Sequence, residues 1–164
     1  MSTITSTLVH LRDILILPFT VTFVVPYFIY DKHNLFPRNI SLQILAAMFV
    51  AAGLILFSYT VFLFGTIGKG TLAPWSEKQN LVVAGPYRYC RNPMITGVFF
   101  ILVGETLFLH SISIMLWAMT FFVVNTVYFI VLEEPLLEKR FGEQYRRYKL
   151  HVPRWIPALR PYKP

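Results

Sequence analysis

The sequence has few charged residues and a single cysteine. Of its 164 residues, 14% are Asp, Glu, Lys or Arg, and Cys90 is the one cysteine. A lone cysteine excludes an intrachain disulfide and a cysteine-cluster metal centre, and we expect no metal site. Acids are scarcer than bases, with eight Asp and Glu against 15 Lys and Arg, so the formal net charge is +7. This excess is compatible with nucleic acid or with anionic lipid as a partner.

Charged residues are absent from long apolar runs. Residues 14–30, 40–68 and 111–132 contain no Asp, Glu, Lys, Arg or His, and residues 94–109 contain only Glu105. A helix needs about 20 apolar residues to cross a bilayer. The sequence therefore predicts an all-α integral membrane protein that forms a single membrane domain over residues 1–164. The four predicted transmembrane helices, numbered in chain order, cover about 14–30, 41–65, 94–109 and 112–132.

The first apolar run has an alternative interpretation as a cleaved signal peptide. Its flank, Arg12-Asp13, is not a strongly positive leader, and no small-residue cleavage site follows before Asp31. We therefore expect this helix to be retained.

Helices 3 and 4 are separated only by His110 and Ser111, which predicts a tight antiparallel hairpin. If this turn faces outside, all but two of the 15 Lys and Arg residues lie on the opposite side. Positive charge concentrates on the cytoplasmic side of membrane proteins. The distribution therefore predicts that both termini, the 69–93 loop and the 133–164 tail are cytoplasmic. It also favours the lipid bilayer, and not nucleic acid, as the partner of the basic residues.

The tail has the pattern of an amphipathic helix. Leu137, Phe141, Tyr145 and Tyr148 recur at helical spacing and share one face, while charged residues take the other. Basic amphipathic helices of this kind lie along a membrane surface or cap a helical bundle. The residues alone do not decide between these two positions.

The densest polar cluster, residues 85–97, stands at the start of helix 3. Asn92 is a residue type that caps helix N-termini, and Pro93 is favoured at a first helical position. One interpretation is a helix cap beside an arginine of the positive-inside bias. The functional interpretation is that Arg91 and the free N–H groups of helix 3 bind a carboxylate. Gly97, one turn further, would allow close approach of a ligand or of helix 4.

Glu133 and Glu134 stand at the predicted end of helix 4, on the same side as Arg91. Adjacent carboxylates at a helix C-terminus oppose the helix dipole, and the bilayer edge adds a desolvation cost. Tail arginines or a cationic ligand must offset that cost, unless the two form a solvated charge pair. Because the hairpin returns the chain to the mouth of helix 3, the two clusters predict a small-molecule site at the membrane surface.

Two further polar residues lie inside the apolar runs. Glu105 is a functional candidate because intramembrane carboxyls are costly, but it lies nearer the outer side, so we favour a neutral packing role. Asn125, two turns before Glu133, could reach the site, although hydrogen bonding between helices is the more ordinary role.

The order and spacing of these residues resemble the isoprenylcysteine carboxyl methyltransferase family of integral membrane methyltransferases, which includes phospholipid methyltransferase relatives. The resemblance covers about residues 68–157, more than half of the chain. The matching motifs are Gly70-Thr71-Leu72-Ala73-Pro74, Leu81-Val82 ahead of Gly85-Pro86-Tyr87, Arg91-Asn92-Pro93 with Gly97, Glu133-Glu134, Phe141-Gly142-Glu143-Gln144-Tyr145 and Val152-Pro153.

The resemblance implies S-adenosylmethionine-dependent methyl transfer to a lipophilic or lipidated acceptor that enters from the bilayer. It implies catalytic roles for Arg91, Glu133 and Glu134, which would also contact the cofactor. The other implied cofactor-binding residues are Gln79, Asn80, Leu81, Val82, Gly85, Tyr87, Asn92, Pro93, Met94, Ile95, Gly97 and Tyr145.

Three positions depart from the family pattern. Asn92 stands in place of a histidine and Ile95 in place of a tyrosine, both in the implied cofactor pocket. Asparagine keeps a hydrogen-bonding side chain, whereas isoleucine does not. By the same resemblance, Phe129 stands at the position where the prenylcysteine enzymes have an arginine that binds the substrate carboxylate. A prenylcysteine carboxylate is therefore disfavoured as the acceptor.

Two other functions remain open at this point. Sterol reductases have a similar C-terminal half and use NADPH, whose 2′-phosphate the tail arginines could bind. Alternatively, the protein is a non-enzymatic membrane scaffold that kept the fold and lost cofactor binding, which would account for Asn92 and Ile95.

Overall fold

The computed structural model describes residues 17–31, 39–68 and 80–163. Within these ranges the chain is helical and contains no β-strand, which confirms the predicted all-α class. A 3₁₀ turn covers Gly85–Arg88, ahead of the third helix. The helices are α1 Leu17–Ile29, α2 Ile40–Gly68, α3 Pro93–Leu109, α4 Ile112–Phe141 and α5 Glu143–His151.

Helices α2 and α4 are long and apolar enough to cross a membrane. In the most apolar 18-residue stretch of each helix, only 11% of the α2 residues and 17% of the α4 residues are buried within the protein. Such exposure suits helices that face lipid. Helices α1 and α3 are apolar but shorter. The described residues thus contain two candidate spans, and crossing by all four helices stays a prediction.

Helices α2 and α3 pack backbone against backbone through glycines. A Cβ at Gly97 would lie 2.9 Å from the Phe57 nitrogen, and one at Gly53 would lie 2.6 Å from the Gly97 oxygen. Gly104 meets the Ala46 carbonyl in the same way, at 2.9 Å. Small residues let membrane helices approach this closely. The partner of Gly97 is therefore α2, and not the ligand or the fourth helix considered from the sequence.

The connection between α3 and α4 is as short as predicted. His110 ends α3 in the left-handed conformation, with a φ of 55°. Ser111 caps α4, because its side chain accepts a hydrogen bond from the Ile114 nitrogen. Helix α1 is tied to α4 by the indole of Trp117, which donates to the Val21 carbonyl at 3.0 Å.

Helix α4 does not end at the two glutamates, contrary to prediction. It runs on through Pro135 to Phe141, with a wider π-type turn over Phe129–Glu133. Proline has no N–H and its ring clashes with the preceding turn of a regular α-helix. Here the turn before Pro135 is of the wider π type, which occurs as a single turn within α-helices. Glu133 and Glu134 therefore lie within a continuous helix, so the predicted conflict with a free C-terminal dipole does not arise.

The amphipathic pattern of the tail is divided between two helices. Gly142, with a φ of 52°, separates the last turns of α4 from α5. The apolar face packs inward, where Tyr145, Tyr148 and Val152 form a buried cluster with partly buried neighbours including Leu81. This face therefore packs within the protein, and a position of the helix along the membrane surface stays a prediction.

The remainder of the tail is fastened to the 3₁₀ turn and the residues after it. The backbone nitrogens of Ala158 and Tyr162 donate to the carbonyls of Tyr89 and Arg88, at 2.8 and 2.9 Å. The Arg91 nitrogen donates to the Pro153 carbonyl at 2.9 Å. These bonds hold the tail against the start of α3, where the site was predicted.

Candidate active site

A cavity of about 480 Å³ lies between the helices and the tail. Its polar end is formed by the start of α3, the π turn of α4 and helix α5, and its other end is apolar. The predicted site residues that line it are Asn80, Leu81, Val82, Tyr87, Arg91, Asn92, Met94, Ile95, Glu133 and Tyr145.

Other predicted site residues lie elsewhere. Gly85 faces Tyr59 and Leu63 of α2, and Gly97 packs on α2 as described above. Together with Pro93 and Glu134, these two residues are not part of the cavity lining. Gln79 lies outside the described residues.

Glu133 is the carboxylate of the cavity wall. Its side chain is buried, with 7% of the residue exposed, and the hydroxyl of Tyr128 donates to its Oε2 at 3.2 Å. The π turn shifts the register of α4 so that Glu133 faces the cavity while Glu134 faces the tail. The two adjacent carboxylates thus lie in different environments, although the interpretation of the sequence gave them the same role.

Glu134 is surrounded by cations. Its Oε1 accepts from Arg154 Nε at 2.7 Å and lies 2.9 Å from Arg91 Nη1, and its Oε2 lies 3.2 Å from Lys149 Nζ. Hydrogen bonds to Glu138 and then Glu134 raise the pKa of Lys149. Tail cations therefore offset the cost of burying Glu134, which is one of the three possibilities left open by the sequence.

Arg91 and Asn92 carry donors that face no acceptor in the described part of the chain. The Nε of Arg91 and the Nδ2 of Asn92 are buried and have no hydrogen-bond partner among the described residues. An unpaired buried donor costs free energy, so both are suited to an acceptor group of a ligand. Asn92 occupies the predicted N-cap position of α3, with Pro93 after it, but the Asn92 side chain makes no capping hydrogen bond.

Tyrosines form one wall of the polar end. The Tyr148 hydroxyl donates to the Tyr87 carbonyl at 2.6 Å, and Arg91 Nη1 donates to the Tyr145 hydroxyl at 3.5 Å. Burial raises the pKa of the Tyr87 and Tyr148 phenols. These side chains therefore stay neutral and offer aromatic surface to a ligand.

The apolar end of the cavity was not predicted. It is lined by residues of α1 and α4 that resemble ordinary lipid-facing side chains in the sequence, including Leu17, Pro18, Val21, Trp117, Phe121 and Val124. No signal in the sequence separates them from the rest of the apolar runs. Tyr128 was also missed, because residues five apart do not face each other in a regular α-helix, and only the π turn brings its hydroxyl to Glu133.

Three further residues singled out in the sequence are Asn125, Glu105 and Phe129. Asn125 lines the cavity, but its Nδ2 donates to the Phe121 carbonyl of its own helix at 2.8 Å, so the expected bond between helices is not formed by this group. Glu105 does not line the cavity, and its Oε2 is buried without a partner among the described residues. Phe129 lines the cavity and packs edge-on against Trp155.

The fold and the site define a class: a helical membrane protein with a small-molecule cavity where its helices meet the tail. The chain matches the model of the phospholipid methyltransferase family over residues 42–144. It therefore belongs to the phospholipid methyltransferase family, whose members use S-adenosylmethionine. The matched range contains Arg91, Asn92 and Glu133.

A relative in Haemophilus influenzae (strain ATCC 51907 / DSM 11121 / KW20 / Rd) carries only the description "Uncharacterized protein". It is 38% identical over 63 residues, which are 38% of this chain and 100% of that protein. It adds no statement about activity.

Proposed function

We propose that the protein transfers a methyl group from S-adenosylmethionine to a lipophilic acceptor held in the bilayer. The observation that carries this proposal is the two-ended cavity. Its polar end presents a carboxylate, two donors without a partner among the described residues, and neutral phenols, and its apolar end lies between α1 and α4. A zwitterionic cofactor suits the first end and a lipid-like acceptor suits the second.

The residues present fit the cofactor. Glu133 would bind the amine of its amino-acid part, and the unpaired donors of Arg91 and Asn92 would bind its carboxylate. Tyr87 and Leu81 offer an aromatic and apolar surface for the adenine. Ile95 lines the cavity as one more apolar contact, so its lack of a polar group does not prevent this arrangement.

When bound, S-adenosylmethionine supplies a methyl group on a positively charged sulfur. The contribution of the protein is alignment and the exclusion of water, which together lower the barrier of a displacement between two bound molecules. Glu133 and the neutral tyrosines would orient the amino-acid part of the cofactor in the polar end of the cavity. The apolar wall formed by Val21, Trp117 and Val124 would hold the acceptor.

The acceptor is proposed to lack a carboxylate. Arg91 is the one arginine or lysine in the cavity lining that the described residues form, and its guanidinium is held by Glu134. The apolar ring of Phe129 occupies the position where an arginine would bind a prenylcysteine carboxylate. This argues against the substrate of the isoprenylcysteine carboxyl methyltransferases, although the chain resembles that family.

The membrane arrangement belongs to the same proposal. Four spans and cytoplasmic termini would place the polar end of the cavity at the cytoplasmic face, where a soluble cofactor is available. The same arrangement would put all but two of the 15 Lys and Arg residues on that side. Because positive charge concentrates on the cytoplasmic side of membrane proteins, this distribution supports the arrangement.

The oxidoreductase alternative has less support. A 2′-phosphate would need arginines at the cavity, but none of the described tail arginines lines it. Arg154 is bound to Glu134, and Arg146 and Arg147 lie near Glu143 on the exposed side of α5.

Methyl transfer can be tested without knowing the acceptor. Purified protein in lipid nanodiscs is incubated with methyl-labelled S-adenosylmethionine and a total lipid extract, and label is measured in the organic phase. Label that depends on wild-type protein and is lost in Glu133→Gln supports the proposal. Label that stays in the aqueous phase with every lipid extract tried contradicts it. Glu143→Gln, a change of an exposed acid, is the matched control.

A further inference from the structure

We propose that Glu134 is a positioning residue that docks the tail over the cavity and aligns Arg91, without contacting the cofactor itself. The part about alignment rests on the proposed function, whereas the docking of the tail does not. Family resemblance had assigned Glu134 the same roles as Glu133, and the geometry separates the two.

The first argument is the environment of Glu134. The residue is 4% exposed. Its neighbour Glu133 lines the cavity, whereas Glu134 does not. Both of its oxygens are engaged by cations within 3.2 Å, namely Arg91, Lys149 and Arg154. A carboxylate so surrounded has no side left for a ligand cation.

The second argument is where the three cations come from. Arg91 stands at the start of α3, Lys149 on α5, and Arg154 in the segment after α5. One carboxylate of α4 therefore joins three separate parts of the chain. Because the cations are close together and partly buried, removing the negative charge leaves them to repel one another. The tail, which carries two of the three, would then be held by its backbone hydrogen bonds and apolar cluster alone and would open locally more often.

The third argument is that the docked tail forms part of the cavity. Tyr145 and Tyr148 of α5 line the polar end, and Arg91 contacts both Glu134 and the Tyr145 hydroxyl. The position of the Arg91 guanidinium is thus set by Glu134. Loss of Glu134 should disturb the cavity through Arg91 and the tyrosines, and not through loss of a ligand contact.

Cys90 provides a readout of tail docking that needs no cofactor. It is 4% exposed, and its Sγ donates to the carbonyls of Arg154 and Trp155 at 3.1 and 3.3 Å. The thiol is therefore covered by the segment that Glu134 holds. As the one cysteine of the chain, it reports on this place alone when it is alkylated.

The experiment measures the rate of Cys90 alkylation by N-ethylmaleimide in nanodiscs, followed by mass spectrometry. Glu134→Gln and Arg154→Gln should raise the rate at least about tenfold, because a broken buried ion pair favours local opening. Glu134→Asp, which keeps the charge, should restore most of the protection. Glu133→Gln and the exposed-acid control Glu143→Gln should stay within about twofold of wild type.

A rate in Glu134→Gln equal to that of wild type overturns the proposal, and so does an equal increase in Glu133→Gln. If Glu134→Gln does not fold, Arg154→Gln decides the matter, since it removes one cation and leaves the carboxylate paired with two. S-adenosylmethionine affinity is measured in parallel. Predicted labelling without any cofactor binding would mean that the proposed function fails and tail docking stands. If S-adenosylmethionine binding depends on Glu133 and Cys90 labelling is unchanged in Glu134→Gln, the proposed function stands and tail docking by Glu134 fails.

Discussion

The hydroxyl of Tyr128 donates a hydrogen bond of 3.2 Å to Oε2 of Glu133, across the π turn of a single helix. Both side chains line the cavity. In a regular α-helix residues five apart do not share a face, whereas the wider turn brings them together. The turn thus selects which of two adjacent carboxylates faces the cavity and supplies the donor that orients it.

Tyr128→Phe should therefore weaken cofactor binding and leave the fold intact. The variant removes one hydrogen bond to a charged group, which corresponds to an affinity loss of about tenfold. Isothermal titration calorimetry with S-adenosylmethionine measures it. An affinity equal to that of wild type would show that Tyr128 does not orient Glu133.

Asn92→Ala should weaken cofactor binding without lowering stability. The Asn92 side chain makes no capping bond and its Nδ2 is unpaired among the described residues, so its removal should cost the free protein little. A capping asparagine would instead cost about 1 kcal/mol. Thermal unfolding in detergent distinguishes the two cases, and a clear drop in Tm would show that the Asn92 side chain does stabilise the start of α3.

Gly97→Val should strongly destabilise the protein. Even a Cβ at this position would lie 2.9 Å from the Phe57 nitrogen, so α2 and α3 would have to separate, at a cost of about 1–3 kcal/mol or more. Gly65→Ala is the control, since nothing lies within 4 Å of a Cβ there. Equal Tm values for the two variants would contradict the observed helix contact.

The Cys90 thiol should ionise above its ordinary range. Burial raises its pKa above the usual value of 9.0, because the charged thiolate is poorly solvated there. The thiolate fraction should therefore still be rising with pH where an ordinary thiol has already ionised. A titration by ultraviolet absorbance, with Cys90→Ser as the blank, measures this. A pKa at or below the ordinary value would mean that the tail does not cover the thiol.

The sequence predicted most of the helical framework because long runs without charge permit few other structures. The bounds of α3 and the two-residue connection at His110 follow directly from the pattern. The course of α4 beyond Glu134 did not, since a proline after two acids resembles a helix end, and the π turn that accommodates it has no signature of its own.

The candidate site was predicted in part for a similar reason. Arg91, Asn92 and Glu133 stand out as polar residues beside apolar runs, and the structure brings them to one cavity. The separate role of Glu134 depends on the register of the π turn and on where the tail folds back. The apolar end depends on which faces of α1 and α4 meet, and the apolar runs of those helices contain no pattern that marks one face.

The central claim is tested most directly by calorimetric titration of wild-type protein in nanodiscs with S-adenosylmethionine, with NADPH titrated in parallel. We expect saturable binding of S-adenosylmethionine alone, weakened at least about tenfold in Glu133→Gln, because the lost charge leaves the ligand amine unpaired. Absence of S-adenosylmethionine binding by the wild type, or binding of NADPH in its place, would contradict the account.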